Sequence, residues 1–220
     1  MTGKALDRFL PEAERRRISE CVAEVERLTG GEIVVMVAPC SHGYPGAARI
    51  GATVFAFPLA LAFTPELGAY FWLGPQNLWV FLALFAPLWL LLREMVKRVG
   101  GLRRVFVAQR EMDAEVREAA AAQFHLKGLH RTREENGVLV YVSVFERTVW
   151  VMGDRGIDRR VAEGFWQGIV AEVVQGIRDG EAAEAICRAV GMIGGVLREE
   201  FPARPDDRDE LENMIVEEPG

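Results

Sequence analysis

The sequence predicts an α/β domain interrupted by a two-helix apolar hairpin. Three observations carry that expectation. An amphipathic helical pattern is followed at once by an apolar, β-branched run, Glu32 to Ala38. Two almost uncharged segments, Ile50 to Phe63 and Leu78 to Leu92, then break the soluble pattern. Beyond them, two more apolar runs and further amphipathic helices resume it. Helical and extended segments in alternation are the pattern of an α/β layered domain.

The first helix is expected over Pro11 to Thr29. Ile18, Val22, Val25 and Leu28 recur at helical spacing with charges between them. Pro11 suits the first turn, and Gly30-Gly31 suits the stop. Glu32 to Ala38, EIVVMVA, reads as a strand buried on both faces. Pro39 to Gly46 reads as a loop.

Each apolar segment is shorter than the roughly 20 residues that cross a bilayer upright. Tyr70, Phe71, Trp72 and Trp79 surround their connecting turn as an aromatic belt would. Bilayer thinning, snorkelling by the flanking arginines or a shallow re-entrant hairpin absorbs the short length. A transmembrane hairpin over 47–92 is therefore expected, kinked at Pro58 and Pro87.

Charge is distributed in blocks. From Ile50 to Leu92 the only charged residue is Glu66. Arg93, Lys97, Arg98, Arg103, Arg104 and Arg110 then form a basic collar against the single acid Glu94. Such a collar suits anionic lipid headgroups. The overall charge of −6 argues against nucleic acid as a partner. Arg49 and the collar flank the hairpin, while the turn Thr64 to Asn77 has no Lys or Arg. The positive-inside rule places both ends in the cytoplasm and the turn outside. The N-terminal MTGKALDRFLPEAERRR has no apolar core, so no cleavable signal peptide is expected.

After the collar, a helix is expected over Gln109 to Phe124. Strands are expected over Gly137 to Val144 and Thr148 to Met152, with a tight turn near Glu146. Helices follow over Asp158 to Ile177 and Glu181 to Phe201, each with one apolar face. The tail over 202–220 is acidic and expected to be mobile. A lone helix and strand before the hairpin cannot bury their apolar faces. Segments 1–46 and 93–201 are thus expected to join into one discontinuous domain, with the hairpin inserted.

The chain lacks GxxxxGK[ST], HExxH and GxSxG motifs. Cys21, Cys40 and Cys187 are scattered, and the first and last fall in helical patterns, where buried reduced thiols are expected. His125 and His130 lie five residues apart, off one helical face, and neither they nor His42 show metal-ligand spacing.

The topology offers one constellation. The tight turn pairs the second and third strands antiparallel, and the helical crossover favours a parallel first pair. Glu32, Glu135, Asn136, Asp154 and Asp158 then gather at one sheet edge. That edge is the start of the first strand, away from the hairpin. Clustered oxygen ligands suit a divalent cation such as calcium. The alternative is a set of solvated turn residues and caps, with Asp158 capping its helix.

TGGEIVVMV after an amphipathic helix, NGVLVYVSVFERTVWVMGDRGID and FPARPDDRDEL resemble the TPM domain, the fold of the thylakoid-lumen acid-phosphatase-like proteins. The hairpin insertion resembles a membrane-anchored bacterial branch. The resemblance implies a three-layer α/β/α sandwich around a small mixed sheet. It implies divalent-ion binding by acidic loops, placed here at Glu135, Asn136 and Asp154, and phosphatase activity for some members. Members that bind metal tend to carry aspartates where this chain has Glu135-Asn136. Two functions follow. One is a membrane-anchored interaction or assembly module with membrane lipids and a further protein as partners. The other is a metal-dependent phosphatase-like hydrolase, with Arg155 or the helix start near Asp158 receiving phosphate.

Overall fold

The computed structural model describes residues 3–132, 134–203 and 214–216. The helices are α1 (Gly3–Phe9), α2 (Glu12–Glu26), α3 (Pro45–Tyr70), α4 (Leu78–Arg98), α5 (Gly100–Val105), α6 (Gln109–Leu126), α7 (Arg155–Asp158), α8 (Phe165–Asp179) and α9 (Ala182–Glu200). The strands are β1 (Ile33–Ala38), β2 (Val138–Ser143), β3 (Thr148–Gly153) and β4 (Met214–Val216). The chain divides into two compact units, Met1–Ser41 with Asp113–Gly220, and His42–Met112.

The first unit is built on a mixed sheet of order β3-β2-β1-β4. β1 runs parallel to β2, with Ile33 opposite Val138 and Ala38 opposite Ser143. β2 and β3 are antiparallel, with Val138 opposite Gly153. All six residues of β1 and of β2 are buried, which explains why neither alternates in polarity.

Alternate residues serve two helical layers. Ile33, Val35, Val37, Val138, Val140 and Val142 pack in one cluster with Ile18 and Val22 of α2, Ile169 and Val173 of α8, and Ile186 and Ile193 of α9. Val34, Met36, Leu139 and Tyr141 face the other way, onto Val116, Ala120 and Phe124 of α6. Period-two alternation of buried side chains thus produces the three-layer α/β/α sandwich.

Close helix approach on the larger face depends on glycine. A Cβ on Gly194 in α9 would strike the Val25 side chain. The same helix pair carries Cys21 and Cys187, whose Cα atoms lie 5.8 Å apart and whose sulfurs form a disulfide. The expected pair of reduced thiols is therefore corrected. Among the described residues Cys40 is the cysteine outside the disulfide.

In the second unit α3 and α4 pair as an apolar hairpin. They are 26 and 21 residues long, and both are long and apolar enough to cross a membrane. At 1.5 Å per residue, α4 spans about 31 Å, close to a bilayer's hydrocarbon thickness. Both helices outrun the apolar segments that mark them. α3 continues through Pro65 and Glu66 to Tyr70, and Thr64 Oγ1 donates to Ala60 O at 2.6 Å within it. Asn77 starts α4, its Oδ1 accepting from Trp79 N at 2.9 Å. Trp89 Nε1 of α4 donates to Thr53 Oγ1 of α3 at 2.9 Å. Phe57, Leu61, Phe63, Leu90 and Leu91 are exposed.

Two other expectations change. The helix expected over Asp158 to Ile177 is split, because Gly164 adopts φ 86 before α8 begins. In the tail, Met214–Val216 pairs parallel with Val35–Val37 of β1. The acidic stretches on either side, 204–213 and 217–220, lie outside the described residues.

Candidate functional site

The sheet register decides what meets at the starts of β1 and β2. Val138 N donates to Glu32 O at 2.8 Å, and Asp154 N donates to Gly137 O at 2.9 Å. Glu32, Gly137 and Asp154 therefore share one edge through their backbones. Asp154 is 9% exposed and caps α7, with Oδ1 accepting from Arg155 N at 2.8 Å. Its Oδ2 is buried and has no hydrogen-bond partner among the described residues. Asn136 is buried beside this edge. Its Nδ2 donates to Gly30 O at 2.8 Å, and its N donates to Thr132 Oγ1 at 3.1 Å.

The remaining predicted residues are arranged differently. Glu135 is exposed at φ 53, a conformation that strains a side-chain-bearing residue. Its carbonyl accepts from Gly156 N at 2.9 Å. A Cβ on Gly156 would strike the carbonyl oxygens of Glu134 and Glu135, so the two loops are in backbone contact. Asp158 is exposed, and its Oδ1 accepts from Trp166 Nε1 at 2.8 Å. It does not cap α8, which begins at Phe165. Glu32 is half-buried, and Arg155 is exposed.

The edge thus offers the orphaned, buried Asp154 Oδ2, which fits a hard cation. No three His, Cys, Asp or Glu side chains among the described residues form a group able to hold a metal ion. Any cation at Asp154 would therefore draw most of its ligands from amide, peptide or water oxygens.

A second polar cluster, absent from the sequence reading, closes the opposite edge of the sheet. Glu146, in the β2–β3 turn, is fully buried. Its Oε1 accepts from Ser41 N at 3.0 Å and from Cys40 Sγ at 3.5 Å. Its Oε2 accepts from Ser143 Oγ. Ser41 Oγ donates to Ser143 Oγ at 3.0 Å and lies 3.3 Å from the Tyr141 hydroxyl. A glutamate in a turn reads as solvated, and only the apolar neighbours Val144 and Phe145 hint that the turn folds inward. These donors satisfy the carboxylate and tie the end of β1 to the end of β2, so this cluster is structural.

Comparison with known proteins agrees with this architecture. The NMR structure of the BA42 protein from the psychrophilic bacterium Bizionia argentinensis is similar, with a TM-score of 0.57 at 20% identity. The match covers 95% of this chain and 96% of that one, and at this identity it speaks for the fold alone. No curated protein sequence matches. The family model of the TPM domain matches residues 94–196, from the end of α4 through most of α9. On that match, residues 94–196 are similar to the TPM domain, and the sandwich fold extends around them.

Proposed function

We propose that this chain is a membrane-anchored TPM module that serves interaction or assembly at a bacterial inner membrane. The observation that carries this reading is the hairpin. Its two helices are of spanning length and present Phe, Leu and Trp side chains outward. A water-facing hairpin would leave that apolar surface uncovered. Arg93, Lys97 and Arg98 lie towards the end of α4 and Arg104 follows it, where they would meet anionic headgroups. Positive-inside orientation puts the sheet-bearing unit in the cytoplasm, facing a soluble protein partner. Incubating the purified chain with a phosphomonoester, with and without calcium or magnesium, tests this reading. Phosphate release above the protein-free background, dependent on metal, would replace it with the hydrolase.

The metal-dependent, phosphatase-like reading keeps one observation in its favour, the orphaned Asp154 Oδ2. An ion bound only by the folded state raises stability by mass action. On this reading millimolar calcium raises the melting temperature of the full chain in detergent. Asp154→Asn removes that rise and retains the α7 cap, whereas Glu172→Gln on α8 keeps the rise. Melting curves that calcium, magnesium and manganese all leave in place would show that Asp154 caps a helix and does no more.

A further inference from the structure

The two histidines that the sequence leaves five apart meet at the C-terminal end of α6. Their ring centroids lie 4.9 Å apart, with planes inclined by 35°. The chain geometry explains the encounter. α6 ends at Leu126, and Gly128, at φ 78, reverses the chain into a 3-10 turn over Leu129–Arg131. Leu129 is drawn into the core beneath α6, which brings the next residue, His130, back against the last helical turn.

The ring nitrogens are not equivalent. His125 is exposed, and its Nδ1 lies 2.8 Å from Ala121 O. A carbonyl oxygen only accepts, so Nδ1 carries a proton, and in the neutral imidazole Nε2 holds the lone pair. Metal-binding imidazoles commonly use this arrangement, with a backbone carbonyl holding the far N–H and fixing the ring. His130 Nδ1 is shielded from water and has no hydrogen-bond partner among the described residues. A buried ring nitrogen left unpaired is costly, and ligating an ion would remove that cost.

We propose that His125 and His130 form a two-imidazole site for a late transition-metal dication of the copper(II), nickel(II) and zinc(II) class. Imidazole favours these ions over calcium and magnesium. The site is therefore chemically distinct from the oxygen edge at Asp154. His125 stands in the last turn of α6, where the carbonyl end of the helix favours positive charge. The described residues add no third His, Cys, Asp or Glu to the pair. Water or an exchangeable ligand completes the coordination.

Copper(II) tests the proposal by electron paramagnetic resonance on the full chain in detergent. A Cys40→Ser background keeps the Cys40 thiol from reducing the ion. One equivalent of copper is expected to give the spectrum of two coordinated imidazole nitrogens. His125→Ala and His130→Gln should each remove one nitrogen from the spectrum and weaken copper retention during gel filtration. His42→Ala should leave the spectrum unchanged. Because His125 is exposed, His125→Ala should keep the metal-free melting temperature, so it decides the matter even where His130→Gln unfolds the chain. A parent spectrum with fewer than two nitrogens, or two nitrogens persisting in His125→Ala, would overturn the proposal.

Discussion

Reducing the Cys21–Cys187 disulfide is expected to lower the stability of the sheet-bearing unit by about 3–5 kcal/mol. The two cysteines stand 166 residues apart in sequence. Their link closes about two-thirds of the unit, together with the inserted hairpin unit, into a loop, and long loops gain most from closure in the chain-entropy model. If the hairpin stays in the bilayer when the unit unfolds, the effective loop shortens and the effect falls to the lower part of that range. A loss of this size corresponds to a fall in melting temperature of roughly 10 °C for a unit this large. Cys21→Ser/Cys187→Ser should melt at the reduced temperature with or without reductant. A native chain whose melting temperature ignores reductant would show that the α2–α9 contact stands without the bond. In the cytoplasmic orientation proposed above, the bond faces a reducing pool in which disulfides are rare. The oxidised fraction trapped by alkylation at lysis would show how much of the chain uses it in cells.

The second large effect is expected at Glu146. Glu146→Ala leaves the Ser41 amide and the Ser143 hydroxyl without their acceptor inside the fold. Each buried orphan costs about 1–3 kcal/mol, so a total loss of about 3–4 kcal/mol is expected. Glu146→Gln keeps one acceptor oxygen and the volume, and about half that loss is expected of it. Denaturant titration of both variants measures the difference. If Glu146→Ala unfolds at the parental midpoint, the carboxylate does not tie the ends of β1 and β2 together.

These two features mark where the sequence was silent. The strands β1, β2 and β3 were legible because their apolar runs are long enough to be buried on both faces, and the tight turn near Glu146 set the pairing of the last two. That pairing also placed Glu32, Gly137 and Asp154 on one edge. The disulfide was not legible, because it depends on α2 and α9 packing at a distance that Gly194 permits. Glu146 was hidden because its donors at Cys40 and Ser41 come from more than a hundred residues earlier. β4 was hidden because it is three residues long, and it forms by pairing with β1 rather than by its own propensity. The ends of α3 and α4 were underestimated because propensity and capping, not hydropathy, set them. Asp158 was misplaced for a local reason. The turn before Gly164 detaches it from α8, and it pairs instead with the Trp166 indole.

The strand pairing imposes one topological requirement. β1 precedes the hairpin and β2 follows it, yet the two pair along their full length. If α3 and α4 span the membrane, their outer ends must therefore lie on the same side of it. Alkaline-phosphatase fusions after Cys40, within the turn at Gly74 and at Gly220 measure this directly, since the reporter is active only outside the cytoplasm. High activity at Gly74, with none after Cys40 or at Gly220, is the predicted result. Equal activity at all three positions would contradict the account, because the hairpin would not cross the membrane.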